Sequence, residues 1–336
     1  MAKRGRPKKN KEILNQPIPS REQVEENLEN IAKLEGEKET KLSKEQIERF
    51  EKAKDVMRET NKKLKKDVLH FGSDEKEIEK LSTDVEPLDK IIGGFPRGRF
   101  TVLWGAEKTG KSSIALKFTA KCQKQGLIVY YIALEPFDKQ RAKMFGVDLD
   151  KLIFGQFPIA EQSLNSIIEF SEKGLVDVII LDSIHSLSPK QEMEEKSGQR
   201  KSTEADTMAL LARKLSQFFR MAGDGVKRNN VAVLLIGQTR TSIGFISLET
   251  LTGGHALKHY SKLILHIRRG QSADSPREKE EKTVIDEEGE KKKKKVDKII
   301  GFDCAIKIDK TQVSGTEPEL TEIHFPYYFK SGFIKE

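Results

Sequence analysis

The sequence predicts an α/β fold built on a doubly wound, mostly parallel sheet. Four short apolar runs rich in β-branched residues alternate with helical patterns along the middle of the chain. The predicted strands are 100–104, 128–134, 176–181 and 231–236, and the predicted helices are 112–124, 162–173 and 207–221. Strands that are apolar on both faces are typical of a parallel sheet with helices on each side.

The composition is consistent with one sizeable core that carries appendages. The chain has 336 residues, of which 36% are hydrophobic, and it lacks an apolar run of about 18 residues. We therefore expect a cytoplasmic protein without a membrane partner. Cys122 and Cys304 lie far apart, with no cysteine or histidine at ligand spacing, which disfavours a disulfide framework or a zinc site.

The charge balance favours a polyanionic partner. The formal net charge is +8, and clustered lysines and arginines bind nucleic acid by displacing counterions from phosphates. Much of the excess lies in two segments, residues 3–11 and 291–295, so solvated tails are an alternative explanation.

The N-terminal part divides into two segments. Residues 1–42 are charged and poor in aromatic residues, which predicts a basic, disordered arm. Residues 43–80 are predicted to form an N-terminal helix and a strand, and they begin with a predicted capping box between Ser43 and Gln46. The apolar residues that follow at helical spacing are Ile47, Phe50, Met57, Leu64 and Val68. This helix packs either on its own core or on a neighbouring subunit.

The remaining segment, 81–336, is the predicted α/β core. It contains a charged insertion, 271–298, between two later predicted strands, 262–267 and 301–308. The insertion is either a long hairpin tip or a disordered segment.

A phosphate-binding loop follows the first predicted strand. Residues 105–112 fit the pattern Gly, four residues, Gly, Lys, then Ser or Thr. Backbone amides in such a loop surround phosphate oxygens, Lys111 neutralises the β- and γ-phosphates, and the Ser112 hydroxyl ligates Mg²⁺. We therefore predict ATP and Mg²⁺ as ligands. The predicted nucleotide-binding residues of the loop are Gly105, Ala106, Glu107, Lys108, Thr109, Gly110, Lys111, Ser112 and Ser113.

Two carboxylates lie at the ends of predicted strands. Asp182 follows four apolar residues and is the candidate second magnesium ligand, although an acid here is also a common helix cap. Glu135 follows the strand 128–134 and is the candidate base for the attacking water; the alternative is a solvated loop acid.

Further segments resemble the RecA/RadA recombinase family over about residues 43–333. The stretch 81–89 with Gly93-Gly94 resembles the lead-in to the family's phosphate loop. The most specific match is 252–261, Thr-Gly-Gly-His-Ala-Leu-Lys-His-Tyr-Ser, which resembles the segment that closes the family's second DNA-binding loop. The resemblance implies a RecA-type P-loop ATPase core with an N-terminal helical polymerisation arm.

The resemblance also implies roles for individual residues. Glu135 is at the position of the catalytic glutamate, and Gln238 is at that of the glutamine that senses the γ-phosphate. Arg141 replaces an adenine-stacking tyrosine. Lys310 matches one of two lysines that reach across the subunit interface toward ATP, whereas Gln312 occupies the other position. These departures are closer to a phage-type recombinase than to bacterial RecA.

Two DNA-binding loops are implied as well. The first lies within 190–206, with the candidate residues Lys196, Arg200 and Lys201. The second spans 240–254, and its candidate residues are Arg240, Phe245, Gly253 and Gly254. Mobile loops with a few basic residues suit a single strand, and Phe245 either stacks on bases or packs locally.

The basic arm contains Arg4 and Arg6 in a Lys-Arg-Gly-Arg-Pro-Lys-Lys segment that resembles an AT-hook. An extended Gly-Arg-Pro core suits the narrow minor groove of A·T-rich duplex DNA. A nonspecific polybasic tail is the alternative.

Two functions are consistent with these residues, and a third is disfavoured by them. A strand-exchange recombinase would bind single- and double-stranded DNA and assemble into a helical filament or ring. A RecA-like mediator would bind nucleotide and DNA without exchanging strands. A hexameric helicase is disfavoured by the segment 252–261.

Overall fold

The computed structural model describes residues 43–65, 68–75, 77–193, 208–241, 249–251, 254–285 and 291–333. The chain divides into two units, Met1–Lys76 and Glu77–Glu336. Within the described part of the chain, every helix is too short or too polar to cross a bilayer.

The first unit contains one long helix, α1 (Lys44–Leu64). Ser43 caps its N-terminus, and its hydroxyl and the Gln46 side chain form the predicted reciprocal capping box. Lys65 adopts a left-handed conformation and ends the helix, so the prediction that Val68 continues the helical pattern is wrong. The Asn61 side chain instead binds the backbone of the returning segment at Val68 and Leu69.

The second unit contains the remaining helices and all strands of the described residues. Its helices are α2 (Glu86–Ile92), α3 (Lys111–Lys124), α4 (Lys139–Met144), α5 (Ala160–Glu172), α6 (Lys190–Met193), α7 (Met208–Arg228) and α8 (Gly254–Tyr260). Its strands are β1 (Lys80–Leu81), β2 (Phe95–Pro96), β3 (Phe100–Gly105), β4 (Val129–Ala133), β5 (Leu152–Gly155), β6 (Val178–Asp182), β7 (Ala232–Thr241), β8 (Glu249–Leu251), β9 (Leu263–Arg269), β10 (Arg277–Ile285), β11 (Lys291–Ile299), β12 (Gly301–Thr311) and β13 (Glu322–Tyr328).

The main sheet has the order β13-β12-β9-β3-β7-β6-β4-β5, and β8 pairs with β7 beside this path. Strands β9, β3, β7, β6, β4 and β5 are parallel, whereas β12, β13 and β8 pair in the antiparallel sense. The predicted mostly parallel α/β sheet is confirmed. Strands β10 and β11 form a separate two-stranded hairpin between β9 and β12.

Helices cover both faces of the sheet, as a doubly wound fold requires. One core includes Ile92 and Phe118 from α2 and α3, and the other includes Ile167 and Phe219 from α5 and α7. Because β3, β7, β6 and β4 are buried between these layers, their sequences are nearly continuous apolar runs.

Helix α7 extends beyond its predicted end at 221 to Arg228. Gly223 and Gly225 favour an earlier end, since glycine disfavours helix interiors. Ala222 and Val226 are nevertheless fully buried and continue the apolar stripe of Phe219. Burial of this stripe outweighs the low helix propensity of the two glycines.

Candidate nucleotide site and candidate nucleic-acid loops

The loop between β3 and α3 is shaped by two glycines. At Gly105 a Cβ atom would lie 1.9 Å from the carbonyl oxygen of Ile267 on β9, so a side chain does not fit. Gly110 has φ +100° and caps the start of α3, a conformation that favours glycine. The loop therefore directs its backbone toward the N-terminus of a long helix, where anions bind favourably.

Lys111 lies beneath this loop. Its buried Nζ donates hydrogen bonds to the carbonyl oxygens of Gly105 at 3.0 Å and Ala106 at 2.5 Å. Burial lowers the pKa of Lys111, and the nearby charges of Asp182, Glu135 and Glu107 oppose that shift. The ammonium group is thus held at the loop by the chain itself.

Ser112 and Asp182 provide a pair of oxygen donors next to Lys111. Asp182 accepts hydrogen bonds from the hydroxyls of Tyr131, at 2.8 Å, and Ser112. Burial raises the pKa of Asp182, while the hydrogen bonds from Tyr131 and Ser112 and the charge of Lys111 oppose the rise. Hydroxyl and carboxylate oxygens are the ligands that Mg²⁺ prefers, so the donor set fits this ion.

Glu135 lies at the centre of a hydrogen-bonded cluster. Its Oε1 accepts from Ser183 Oγ at 2.7 Å, from Gln238 Nε2 at 2.7 Å and from Ser186 Oγ at 3.4 Å. Gln238 lies opposite Gly105 in the β3–β7 register, which carries it to the same sheet edge. The structure therefore joins two predicted residues that are far apart in sequence, and it adds Ser183 and Ser186 to their surroundings.

The other side of the site is formed around Arg141. Its Nη2 donates to Ser113 Oγ at 2.8 Å and to the Tyr327 hydroxyl at 2.5 Å. The Tyr327 ring stacks on Phe302, with 4.6 Å between ring centroids. Arg269 lies over the same Phe302 ring and donates to the carbonyl oxygen of Lys108 at 2.9 Å. Sequence reasoning missed Tyr327 and Phe302, because no local motif marks them.

These groups enclose a cavity of about 780 Å³. Of the predicted loop residues, 107–113 line it, whereas Gly105 and Ala106 contribute carbonyl groups to Lys111. The additional lining residues are Glu135, Arg141, Asp182, His185, Ser186, Ile236, Gln238, Arg269, Phe302, Tyr327 and Phe329. The volume and the polar lining suit a nucleotide.

Lys310 does not line this cavity. Its Nζ donates to the carbonyl oxygens of Lys258 at 2.7 Å, Ser261 at 2.9 Å and His259 at 3.3 Å, at the C-terminal end of α8. Burial and the charge of Lys262 lower the pKa of Lys310. A contact between Lys310 and ATP would therefore have to come from a second copy of the chain.

The predicted second DNA loop is partly a β-hairpin. Strand β7 continues to Thr241, and Arg240 pairs with Thr250 of β8. The prediction that a loop begins at residue 240 is therefore wrong for residues 240 and 241, which belong to the strand. Antiparallel pairing satisfies the backbone groups there. Gly254 begins α8 with φ +76°. Phe245, Gly253 and the side chain of Arg240 lie outside the described residues.

The other candidate DNA-binding residues also lie outside the described residues. They are Lys196, Arg200 and Lys201 of the first loop and Arg4 and Arg6 of the basic arm. Helix α6 (Lys190–Met193) is the described start of the first loop.

Comparison with known proteins gives one family. The model of the RecA N-terminal domain matches residues 51–316. Two similar relatives are the proteins named Protein RecA of Francisella philomiragia subsp. philomiragia and Francisella tularensis subsp. novicida. Each is 36% identical over 212 residues, which cover 61% of this chain and 57% of the relative. The chain thus matches somewhat more than half the length of these relatives.

Proposed function

The chain belongs to the RecA family, and on this premise we propose that it is an ATP-dependent DNA recombinase. It polymerises on single-stranded DNA, hydrolyses ATP to ADP and phosphate, and promotes homologous pairing and strand exchange. The observation that carries the proposal is the 2.7 Å hydrogen bond between Gln238 and Glu135. It links the proposed catalytic carboxylate to β7, the strand that leads into the second predicted DNA loop.

In this proposal the loop residues hold the triphosphate. Lys111 exchanges its carbonyl partners for the β- and γ-phosphate oxygens, and the amides at the start of α3 surround them. Ser112 and Asp182 are the residues that would hold Mg²⁺, which when bound neutralises charge on the phosphates. The adenine base of ATP lies on the other side of the cavity, near Arg141 and Tyr327. The guanidinium group of Arg141 and the ring of Tyr327 are planar and can stack on the adenine.

Glu135 acts as the general base. Its carboxylate accepts a proton from the water that attacks the γ-phosphorus. Three hydrogen bonds, from Gln238, Ser183 and Ser186, fix its orientation before substrate arrives. Because the amide of Gln238 contacts either Glu135 or the γ-phosphate, nucleotide state can shift β7 and the hairpin that follows it.

The proposal also includes DNA binding and self-association. Single-stranded DNA contacts the segments after α6 and after β7, and the basic arm with Arg4 and Arg6 binds duplex DNA. Helix α1 docks on a neighbouring subunit, and Lys310 of one subunit faces the ATP of the next. A helical filament satisfies both contacts, since head-to-tail interfaces that do not close generate filaments.

Joint-molecule formation tests the proposal. Purified protein, ATP, Mg²⁺, circular single-stranded DNA and homologous linear duplex should yield joint molecules, and a heterologous duplex should not. Failure to form them, in preparations that bind both ATP and single-stranded DNA, would reject strand exchange.

A mediator without strand exchange is the second candidate. It is favoured by Gln312, which stands where the family has a second interface lysine and which accepts a hydrogen bond from Lys262 at 2.9 Å. Nucleotide-dependent assembly on DNA without pairing would identify this function. Gln312→Lys should then increase DNA-stimulated ATP hydrolysis.

A further inference from the structure

We propose that the His185 side chain donates a hydrogen bond to the γ-phosphate of ATP and so favours ATP over ADP; the inference rests on the proposed nucleotide site. His185 lines the nucleotide cavity. It lies three residues after Asp182, the candidate magnesium ligand, and one residue before Ser186, whose hydroxyl donates to Glu135. None of the roles proposed for the phosphate loop, Glu135 and Gln238 involves this imidazole.

A short 3₁₀ turn, Ile184–Ser186, holds His185 at the edge of the sheet. The backbone N–H of Ser186 donates to the carbonyl oxygen of Ser183, and that of Leu187 donates to the carbonyl oxygen of Ile184, both at 3.2 Å. Ile184 and Leu187 are buried in the core between the sheet and α5 and α7, whereas His185 is only partly buried. Because its apolar neighbours anchor the turn, the position of His185 at the cavity is fixed by the chain itself.

The imidazole of His185 contains a polar atom without a partner. Of the described residues, none forms a hydrogen bond with Nδ1 of His185, and this atom is shielded from solvent. Buried polar groups are costly when they are left without a hydrogen bond, and an apolar side chain of similar size would avoid that cost. The partner is therefore supplied by a bound ligand, which the ring reaches by rotating about its Cβ–Cγ bond.

The order of the strands selects the γ-phosphate as that ligand. Strands β3, β7 and β6 are consecutive in the sheet, and Lys111 follows β3, Gln238 lies on β7 and His185 follows β6. The turn that carries His185 packs against β7. The groups proposed to stack on adenine, Arg141 and Tyr327, instead meet at the Ser113 hydroxyl. His185 thus lies with the two residues that are proposed to contact the γ-phosphate.

The chemistry of imidazole fits this partner. A neutral imidazole has one N–H donor and a charged one has two, so the ring can donate a hydrogen bond in either state. The ionised γ-phosphate offers acceptor oxygens, and hydrogen bonds to a charged group are the stronger ones. Mg²⁺ prefers oxygen ligands, which Ser112 and Asp182 supply. Because ADP lacks the γ-phosphate, the contact with His185 exists in the ATP complex alone.

The test compares the affinities of the full chain for two nucleotides. A fluorescent, non-hydrolysable ATP analogue and ADP with the same label are each titrated in the presence of Mg²⁺ and without DNA. His185→Ala should bind the ATP analogue about 10- to 100-fold more weakly, as expected for loss of a hydrogen bond to a charged group. Its affinity for labelled ADP should change by less than about 2-fold.

Two further variants separate the hydrogen bond from the shape of the turn. His185→Gln keeps an N–H donor at a reach similar to that of Nε2 and should bind the ATP analogue more tightly than His185→Ala does. Ser188→Ala is the matched control on the same segment. Its side chain lies outside the cavity lining, and its backbone carbonyl accepts from the N–H of Ala160 at 2.9 Å, so this variant should bind both nucleotides as the parent does.

Three results would overturn the inference alone. The first is parental affinity of His185→Ala for the ATP analogue, even with slower turnover, since the imidazole would then act on the attacking water. The second is an equal loss of affinity for ADP, and the third is an equal loss in the alanine and glutamine variants, because His185 would then act through the shape of the cavity. A parent protein that binds neither nucleotide would reject the proposed nucleotide site, and the inference with it.

Discussion

The nucleotide cavity and helix α1 differ in how their functional side chains are accommodated. In the cavity, Lys111, Glu135 and Arg141 each have hydrogen-bond partners from the same chain. Along α1 no residue is buried, and Ile47 and Phe50 keep 50% and 47% of their surface exposed. The nucleotide cavity is organised by one copy of the chain, whereas the apolar face of α1 needs another surface to cover it.

Loss of the Lys111 charge is expected to have the largest effect. Lys111→Ala should abolish measurable ATP binding, because the buried ammonium is the main positive charge beneath the phosphate loop. Titration with a fluorescent ATP analogue measures the effect. Lys90→Ala is the control, since that side chain is exposed on α2 and lies outside the cavity lining. Equal binding by the parent and Lys111→Ala would remove the cavity from the proposal.

Glu135→Gln should separate binding from hydrolysis. The amide oxygen can still accept from Gln238 and Ser183, so ATP affinity should stay near that of the parent, but an amide cannot take a proton. Turnover should fall by about 10²- to 10⁴-fold. Phosphate release measures turnover, and titration with the fluorescent ATP analogue measures affinity; both are done on one preparation. Ser186→Ala, which removes a 3.4 Å contact, should change turnover far less. Hydrolysis at the parental rate would exclude Glu135 as the base.

The sequence predicted those parts of the cavity that local patterns specify. The parallel strands and the phosphate loop follow from apolar runs and a short motif, and strand-end geometry brings Asp182 and Glu135 together. Tyr327 and Phe302 were missed, because they reach the cavity through antiparallel pairing of β9, β12 and β13. The charged insertion lies between β9 and β12 in the sequence. No residue pattern in it predicts the register in which these two strands pair.

Elsewhere, tertiary structure outweighed local signals. Strand β7 extends past its apolar run to Thr241, since β8 supplies backbone partners. Along α1 the capping box was predicted correctly, because its two side chains are three residues apart. The surface on which α1 docks cannot be deduced from one sequence, since the pattern of apolar residues specifies a face and not its partner.

Substitutions on α1 test whether its apolar face meets another subunit. Ile47→Asp with Phe50→Asp should reduce self-association about 10-fold or more, because burial of one such side chain contributes about 1.5–3 kcal/mol. Sedimentation with ATP and single-stranded DNA measures assembly. Lys52→Asp, on the opposite side of the helix, is the control and should assemble normally. A lower thermal midpoint of the unassembled protein would instead indicate that the face packs on its own core.

The smallest expected effect concerns pH and a wall of the cavity. His324 on β13 bonds Asp303 through Nδ1 at 2.6 Å and Glu322 through Nε2 at 3.0 Å, and Arg268 also pairs with Glu322. The hydrogen bond to Asp303, with the charges of Asp303 and Glu322, raises the pKa of His324. Strand β12 carries Asp303 and Phe302, and strand β13 carries His324 and Tyr327. The pairing of β12 with β13 therefore supports the wall of the cavity.

The sign of the pH effect follows from that shift. Because the folded pKa exceeds the unfolded value of about 6.5, the contribution of His324 to stability is complete below that pH and is lost as pH rises through the folded pKa. Stability to urea should decline by up to about 1 kcal/mol over this range, since the imidazole is half-exposed. His324→Gln should flatten this decline, and His70→Gln in the first unit should not. If both variants keep the parental pH profile, the pairing of β12 with β13 does not depend on the charge of His324, and the cavity wall rests on its apolar contacts alone.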